Sequence, residues 1–293
     1  MSLLEAIVLG IVQGITEFLP ISSTAHLRFV PELLGWPDPG AAYSAVIQLG
    51  TVAAVIIYFS RDVIELTAAF FRGLAQRQPF ASVESRLAWY VLIGTVPVGI
   101  AGVLFKKWIE TSLRSLYVIG MSMILLALVL LLAEKLASHR RTLSQMTLPD
   151  GVVIGLCQSV ALIPGSSRSG TTLTGGLALG FRREDAARYS FLLSIPANSA
   201  AGLFELKHLL HATDRPSTAT LLLGTAVSFG AGMAAIAGLL RFLRTHTTLV
   251  FVGYRVVVGA LLLILLGLGI LQPFSGRNNE EQERPAAGKQ VAH

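Results

Sequence analysis

The sequence predicts an all-α polytopic membrane protein, a helical bundle with an inverted-topology repeat and two re-entrant helix hairpins. Three observations predict it. Of 293 residues, 53% are hydrophobic and 14% charged, where soluble domains carry about 25% charged residues. Five apolar runs are long enough to cross a bilayer, which takes roughly 17–25 helical residues. Two further apolar runs break at a proline into short polar turns.

The elements follow in order. Leu3–Leu19 is marginal for a full crossing and runs into Pro20 and the turn Ile21-Ser22-Ser23-Thr24. That pattern reads as a hairpin that enters to mid-membrane, turns among polar groups and leaves by the same face. Ala41–Phe59, Leu87–Phe105 and Leu116–Ala133 then cross. Leu148–Ile163 runs into Pro164 and Gly165-Ser166-Ser167-Arg168-Ser169-Gly170, the second hairpin. Ala186–Leu206, more polar but long enough, precedes Thr218–Leu240 and Leu249–Leu271. Strict alternation is absent, which excludes a β-barrel. These elements make one membrane domain, 1–271. The tail 272–293 is polar, with three charges of each sign, and is expected to be disordered.

Composition removes other classes. It excludes a disordered chain, a coiled coil and most soluble enzymes. The net charge of +6 does not signal a nucleic-acid partner. Lys and Arg fall in the gaps between apolar runs, and no basic stripe is interleaved with aromatics. The single cysteine, Cys157, permits no disulfide framework or Cys/His metal cluster. Met1–Gly10 holds no Lys or Arg and does not read as a signal peptide.

The two broken stretches resemble each other. Gly10-Ile-Val-Gln13 parallels Gly155-Leu-Cys-Gln158, and Pro20-Ile-Ser22-Ser23 parallels Pro164-Gly-Ser166-Ser167. Three crossings separate them, so the second copy enters from the opposite face. The repeats are then about 1–133 and 148–271, with both turns near the midplane. Seven Lys and Arg occupy the gaps Arg61–Arg86 and Glu134–Arg141, against three in Lys106–Arg114. The first face is therefore cytoplasmic, and the first hairpin enters from outside.

Two clusters carry chemistry. Gln13 and Glu17, four apart, share one helix face. A carboxylate inside an apolar segment is costly unless paired or hydrated. Oxygen ligands on one face suit a hard cation, Mg²⁺ or Ca²⁺. Ser22, Ser23 and His26 place hydroxyls beside a base. The plainer reading is a serine-capped kink with Glu17 in a water-filled vestibule. In the second cluster, glycines let the backbone approach a ligand. A helix starting there would point its N-terminus at an anion, and Arg168 offers a planar fork suited to phosphate. The plainer reading is a Gly-rich helix break with Arg168 reaching the surface. The Gly-Lys-Ser/Thr ending of a nucleotide-binding loop is missing. Among weaker features, Arg255 reads as a snorkelling or packing residue, and His208 and His211 as interfacial. Gln48, Asn198 and Glu205 are candidates to line the cavity.

Gln13-xxx-Glu17, the Pro20-x-Ser22-Ser23-Thr24-x-His26 stretch and Pro164-Gly-Ser-Ser-Arg168-Ser-Gly170 together resemble the undecaprenyl-diphosphate phosphatase (bacitracin-resistance) family. The similarity runs from about Leu3 to Leu271, through Ile47-Gln48-Leu49-Gly50 and Ser194-Ile195-Pro196. The resemblance implies a multi-pass enzyme of the bacterial plasma membrane, its active site facing outward. Such an enzyme hydrolyses undecaprenyl diphosphate to the monophosphate carrier and phosphate, serving cell-wall synthesis and conferring bacitracin resistance. It also implies that Glu17, with Gln13, holds the divalent cation and that His26 serves acid/base chemistry. Ser23 would be the nucleophile or water-positioning hydroxyl, and Arg168 would clamp the diphosphate. Gly165, Ser166, Ser167, Ser169, Gly170 and Thr171 would form the phosphate loop. The family motif begins with Glu or Gln; Gln13 supplies an amide oxygen and no charge. The residues leave open whether Ser22, Ser23, Ser166, Ser167, Ser169 or water attacks. The implied partners are a polyprenyl diphosphate lipid and membrane lipids, and a homodimer is compatible. The alternative is a transporter (flippase) of a polyprenyl phosphate or other anion, because inverted repeats with broken helices also build transporters. The Ser/His cluster beside Glu17 favours hydrolysis.

Overall fold

The computed structural model describes residues 1–211 and 216–274. The described residues form helices joined by turns, with no strands. Four helices are long and apolar enough to span a membrane, or five if the bent pair described below forms one span. The chain is a multi-pass membrane protein. Residues 275–293, most of the expected disordered tail, lie outside the described residues.

Helix α1, Leu3–Phe18, starts with a capping box: Glu5 N–H donates to Ser2 Oγ at 3.2 Å, and Ser2 N–H to Glu5 Oε2 at 2.8 Å. Pro20 ends it, and α2, Ser23–Leu34, follows. Helix α3, Gly40–Tyr58, turns through 79° into α4, Ser60–Ala75. Helix α4 falls in a stretch that the apolar pattern leaves as a gap. It is amphipathic, with the polar run Ser60-Arg61-Asp62 at its start and Ile64 and Phe71 exposed. Helix α5, Val83–Leu104, leads to the short α6, Lys106–Glu110, and then α7, Leu116–Leu136. Helix α8, Leu148–Val160, breaks before α9, Arg168–Ala178. Helices α10, Arg183–His211, α11, Thr218–Leu243, and α12, Leu249–Gly267, complete the bundle. The last is shorter than its apolar run: Gly269, at φ 71°, turns the chain so that Leu116 N–H donates to Pro273 O.

Small residues set the closest helix contacts. Helix α1 packs on α11, and α5 on α8. A methyl on Gly14 would lie 2.6 Å from the Ser228 carbonyl, and one on Gly10 2.7 Å from that of Gly224. Gly94 and Gly155 meet backbone to backbone between α5 and α8. Such seams let helices approach where lipid supplies no hydrophobic drive between them. Helix α3 packs on α10, and α7 on α12.

The two helix breaks share one construction. Ser22 and Ser167 are both N-caps at positive φ, 77° and 69°. Each hydroxyl accepts from the backbone N–H three residues on, Ala25 and Gly170. The interval from Gln13 to Gln158 equals that from Ser22 to Ser167. Ser22 therefore matches Ser167, correcting the pairing through Pro20 and Pro164, which slips by one residue. The breaks also touch: Ser169 Oγ donates to Leu19 O at 3.0 Å, and Gly165 N–H to Thr24 Oγ1 at 3.4 Å.

Ion pairs fasten the end of α7. Glu134, its side chain 4% exposed, accepts from Arg183 Nε at 2.7 Å and from Arg183 Nη2. Its second oxygen accepts from Thr248 Oγ1 at 2.8 Å. One carboxylate thus ties α7 to the starts of α10 and α12. Arg141 pairs with Asp150 at 2.6 Å, and this bond holds its guanidinium above its ordinary pKa. Removing one partner of a buried pair leaves an uncompensated charge, costing about 3 kcal/mol or more. Glu134→Ala is therefore expected to lower the thermal midpoint in detergent by several degrees, read by scanning fluorimetry. An unchanged midpoint would remove Glu134 from the clasp.

Candidate active site

The helix breaks open on a cavity of about 370 Å³. Its wall includes Gln13, Glu17, Ser22, Ser23, Gln48, Ser167, Arg168 and Asn198. Glu17 is the centre. Its position in the last turn of α1 puts it beside both breaks, and its side chain is 4% exposed.

Five donors converge on the Glu17 carboxylate. Oε1 accepts from Arg168 Nη2 at 2.9 Å, Asn198 Nδ2 at 2.9 Å and Gln48 Nε2 at 3.0 Å. Oε2 accepts from Ser23 Oγ at 2.8 Å and Gln13 Nε2 at 3.0 Å. These donors come from α1, α2, α3, α9 and α10. Both carboxylate oxygens are thereby satisfied in a mostly apolar bundle, where an unpaired carboxylate would be costly. Ser22 caps the break and Glu17 lines the cavity, as the plainer reading has it, but protein groups also bond both of its oxygens.

Arg168 begins α9. Its Nη1 donates to Ser190 O at 3.1 Å and its Nη2 to Glu17. Its Nε is buried and has no protein partner. A cavity-lining guanidinium with a donor to spare suits an anion. It does not snorkel to the surface: its side chain is 12% exposed.

The structure brings together only part of the expected site. Gln13, Glu17, Ser23, Ser167 and Arg168 line the cavity, as do Gln48, Asn198 and Glu205. His26 does not. Its Nδ1 lies 2.7 Å from Ser22 O and its Nε2 2.6 Å from the Tyr254 hydroxyl, so both ring nitrogens are engaged away from the cavity. In the glycine-rich turn, Gly165, Ser166, Ser169, Gly170 and Thr171 are buried and do not line the cavity. Ser166, Ser169 and Thr171 donate their hydroxyls to the carbonyls of Ile163, Leu19 and Arg168. These hydroxyls build the break; Ser167 and Arg168 face the space. The reason is the tight turn, whose buried carbonyls need hydroxyl donors.

Arg255 takes the packing role of its two expected ones and does not snorkel. It is fully buried, and Nη2 donates to the carbonyls of Ser166 at 2.9 Å and Gly165 at 3.2 Å. It pins the second break to α12. His208 and His211 are exposed and bond their own helix carbonyls, as interfacial residues would.

Arg28, Asp38 and Arg114, which the sequence reading passed over, also line the cavity. Asp38 lies 3.5 Å from Arg28 Nε and 3.3 Å from Arg114 Nη2. Their signal was charge close to a helix break, but no spacing rule joins residues so far apart in the chain.

The donor set can be tested against a divalent cation. Among the described residues no three His, Cys, Asp or Glu side chains gather. A self-sufficient protein cage is therefore absent there. Around Glu17, however, Gln13, Gln48 and Asn198 each carry an amide oxygen that a half-turn brings forward, and Ser23 adds a hydroxyl. One carboxylate with neutral oxygens fits a hard cation that shares its shell with substrate phosphates.

Comparison with known proteins gives the family. Residues 6–261 match the family model described as Bacitracin resistance protein BacA. An undecaprenyl-diphosphatase of Myxococcus xanthus (strain DK1622) is 70% identical over 281 residues, covering 96% of this chain and 95% of the relative. One of Chloroherpeton thalassium (strain ATCC 35110 / GB-78) is 52% identical, covering 94% of this chain and all of the relative. One of Thermobifida fusca (strain YX) is 43% identical across the full length of both. With the family model spanning most of the sequence and these relatives aligned nearly end to end, the chain belongs to the BacA bacitracin-resistance family.

Proposed function

We propose that the protein is an undecaprenyl-diphosphatase, a membrane hydrolase that releases phosphate from undecaprenyl diphosphate and returns the monophosphate carrier. The observation that carries this reading is the Glu17–Ser23–Arg168 constellation: a hydroxyl donating to a buried carboxylate beside a guanidinium with a free donor. Relatives at up to 70% identity carry that name. The transporter alternative is not favoured, since those relatives are named as hydrolases.

The chemistry follows from positions. Phosphoryl transfer mostly needs alignment and positive charge on the phosphoryl oxygens. Arg168 holds the diphosphate through guanidinium N–H groups not spent on Glu17 and Ser190. The N-terminus of α9 adds its dipole. Ser23 Oγ attacks the terminal phosphorus, Glu17 Oε2 takes its proton, and the bridging P–O bond breaks to release undecaprenyl monophosphate. Water then hydrolyses the phosphoserine, freeing phosphate and restoring the Ser23 hydroxyl. His26 acts through the turn: its ring, held by Tyr254, fixes the Ser22 carbonyl next to Ser23. A cation, Mg²⁺ or Ca²⁺, would be held by Glu17 and Gln13 with the Gln48 and Asn198 amides. When bound, it would offset the diphosphate charge and polarise the phosphoryl oxygens.

The placement in the membrane belongs to the same proposal. The matched breaks, with α1 on α11 and α8 on α5, support an inverted repeat of two re-entrant hairpins. The residues between α3 and α5 and those between α7 and α8 are rich in Arg, which supports a cytoplasmic face there. The bacterial plasma membrane is then the site of action, and the cavity opens outward.

The test is phosphate release from undecaprenyl diphosphate by the purified protein in detergent with Mg²⁺ or Ca²⁺. Release at a rate well above an Arg168→Ala control is expected. Adding a strong chelator should abolish it, and restoring either cation should recover it. Chelator-resistant release would take the metal out of the reaction, and no release would overturn the hydrolase reading.

A further inference from the structure

We infer that Gln158 is a further headgroup-binding residue, its side-chain amide donating to a phosphoryl oxygen of the diphosphate lipid. This deepens the phosphatase reading and rests on it. Gln158 sits on α8 at the place that Gln13 holds on α1, one fixed interval earlier in the chain. Both line the same cavity. Gln13 spends its Nε2 on Glu17, four residues on. The residue four on from Gln158 is Leu162, which offers no acceptor. The two halves thus deliver two amides to one space, and only one finds a protein partner.

The orphaned amide needs an explanation. Gln158 is 0% exposed, and neither Oε1 nor Nε2 has a hydrogen-bond partner among the described residues. Leaving a buried polar group unsatisfied is unfavourable, and natural structures seldom do so without a reason. Leu or Met would fill the same space at no such penalty. The neighbours Ala161 and Leu162, one turn on, line the cavity with it and carry no polar side-chain atom. A ligand oxygen in the cavity is the partner this geometry points to. A diphosphate bears oxygens in every direction, and Gln158 is the amide on this wall with no protein partner, whereas Gln13, Gln48 and Asn198 each donate to Glu17. A group that only packs would not keep both ends of an amide.

The distinguishing sign is that activity and stability should move apart. Gln158→Met keeps the length and removes both polar atoms. The full-length protein in detergent should keep or raise its thermal midpoint, while kcat/KM for undecaprenyl diphosphate falls roughly tenfold or more. The thermal shift induced by added undecaprenyl diphosphate should shrink in parallel. Gln158→Leu repeats the test should the Met variant not fold. Wild-type kcat/KM in either folded variant, with an undiminished thermal shift, overturns the assignment. If the wild type binds the lipid without releasing phosphate, the hydrolase reading fails alone, and the thermal-shift arm still judges Gln158. Gln158→Glu should weaken binding further through charge repulsion. Should it instead tighten binding only when a divalent cation is present, the position is a cation ligand and the donor role is overturned.

Discussion

Glu17→Gln is expected to lower phosphate release from undecaprenyl diphosphate by about a hundredfold to a thousandfold, the scale of removing one organised catalytic group. The substitution preserves volume and reverses the hydrogen-bond logic. Oε1 now receives three donors and Oε2 two. Whichever oxygen becomes an NH₂ meets at least two groups that also donate. Arg168 loses its counter-charge, and Ser23 loses either its acceptor or the charge that draws off its proton. The thermal midpoint should fall too, since breaking a buried ion pair from one side costs about 3–5 kcal/mol. Ser23→Ala should lose activity on a similar scale with little loss of stability, because Ser23 is only half-buried. The double variant should be little worse than the poorer single, as expected of groups that act as one unit. Additive losses would separate Ser23 from Glu17 and leave water as the attacking group. Glu17→Gln retaining half or more of the wild-type rate would remove the carboxylate from the chemistry.

Arg168→Ala is the second large effect, an expected loss of about a thousandfold or more in kcat/KM with the fold retained. Four donors would still surround Glu17, so the carboxylate keeps most of its shell. What disappears is the one guanidinium that both bonds Glu17 and lines the cavity. Arg168→Lys tests geometry apart from charge. A single ammonium cannot reach the Ser190 carbonyl, Glu17 and a phosphoryl oxygen at once, so it should restore only part of the loss. Full recovery by Lys would reduce Arg168 to a point charge. Near-wild-type turnover by the Ala variant would end the clamp assignment.

The sequence exposes both residues for one reason. Ionisable groups in apolar helices are expensive, and Glu17 and Arg168 stand out against their surroundings. Gln48 and Asn198 are visible as amides in apolar runs, but their convergence on Glu17 is not, because it joins α1, α3 and α10 across the bundle. His26, Ser166 and Ser169 show the opposite case. Their type and spacing fit the chemistry, yet a tight turn needs hydroxyls and rings for its own carbonyls. Local spacing cannot say whether a hydroxyl faces the backbone or the cavity. Helix α4 was hidden for another reason: its amphipathic pattern lacks the unbroken apolar length that marks a span.

The sequence by itself determined the membrane class, the long apolar helices and the two breaks, because bilayer thickness and backbone satisfaction act on local stretches of chain. It also determined the family and the two charged residues. The tertiary structure alone decided which polar groups meet. It turned Glu17 into the acceptor of five donors, sent His26 to Tyr254, buried Arg255 beneath the second break and left Gln158 unpaired. Those outcomes depend on how helices distant in sequence pack on glycine seams, where a difference of one residue in register decides which side chain faces the cavity.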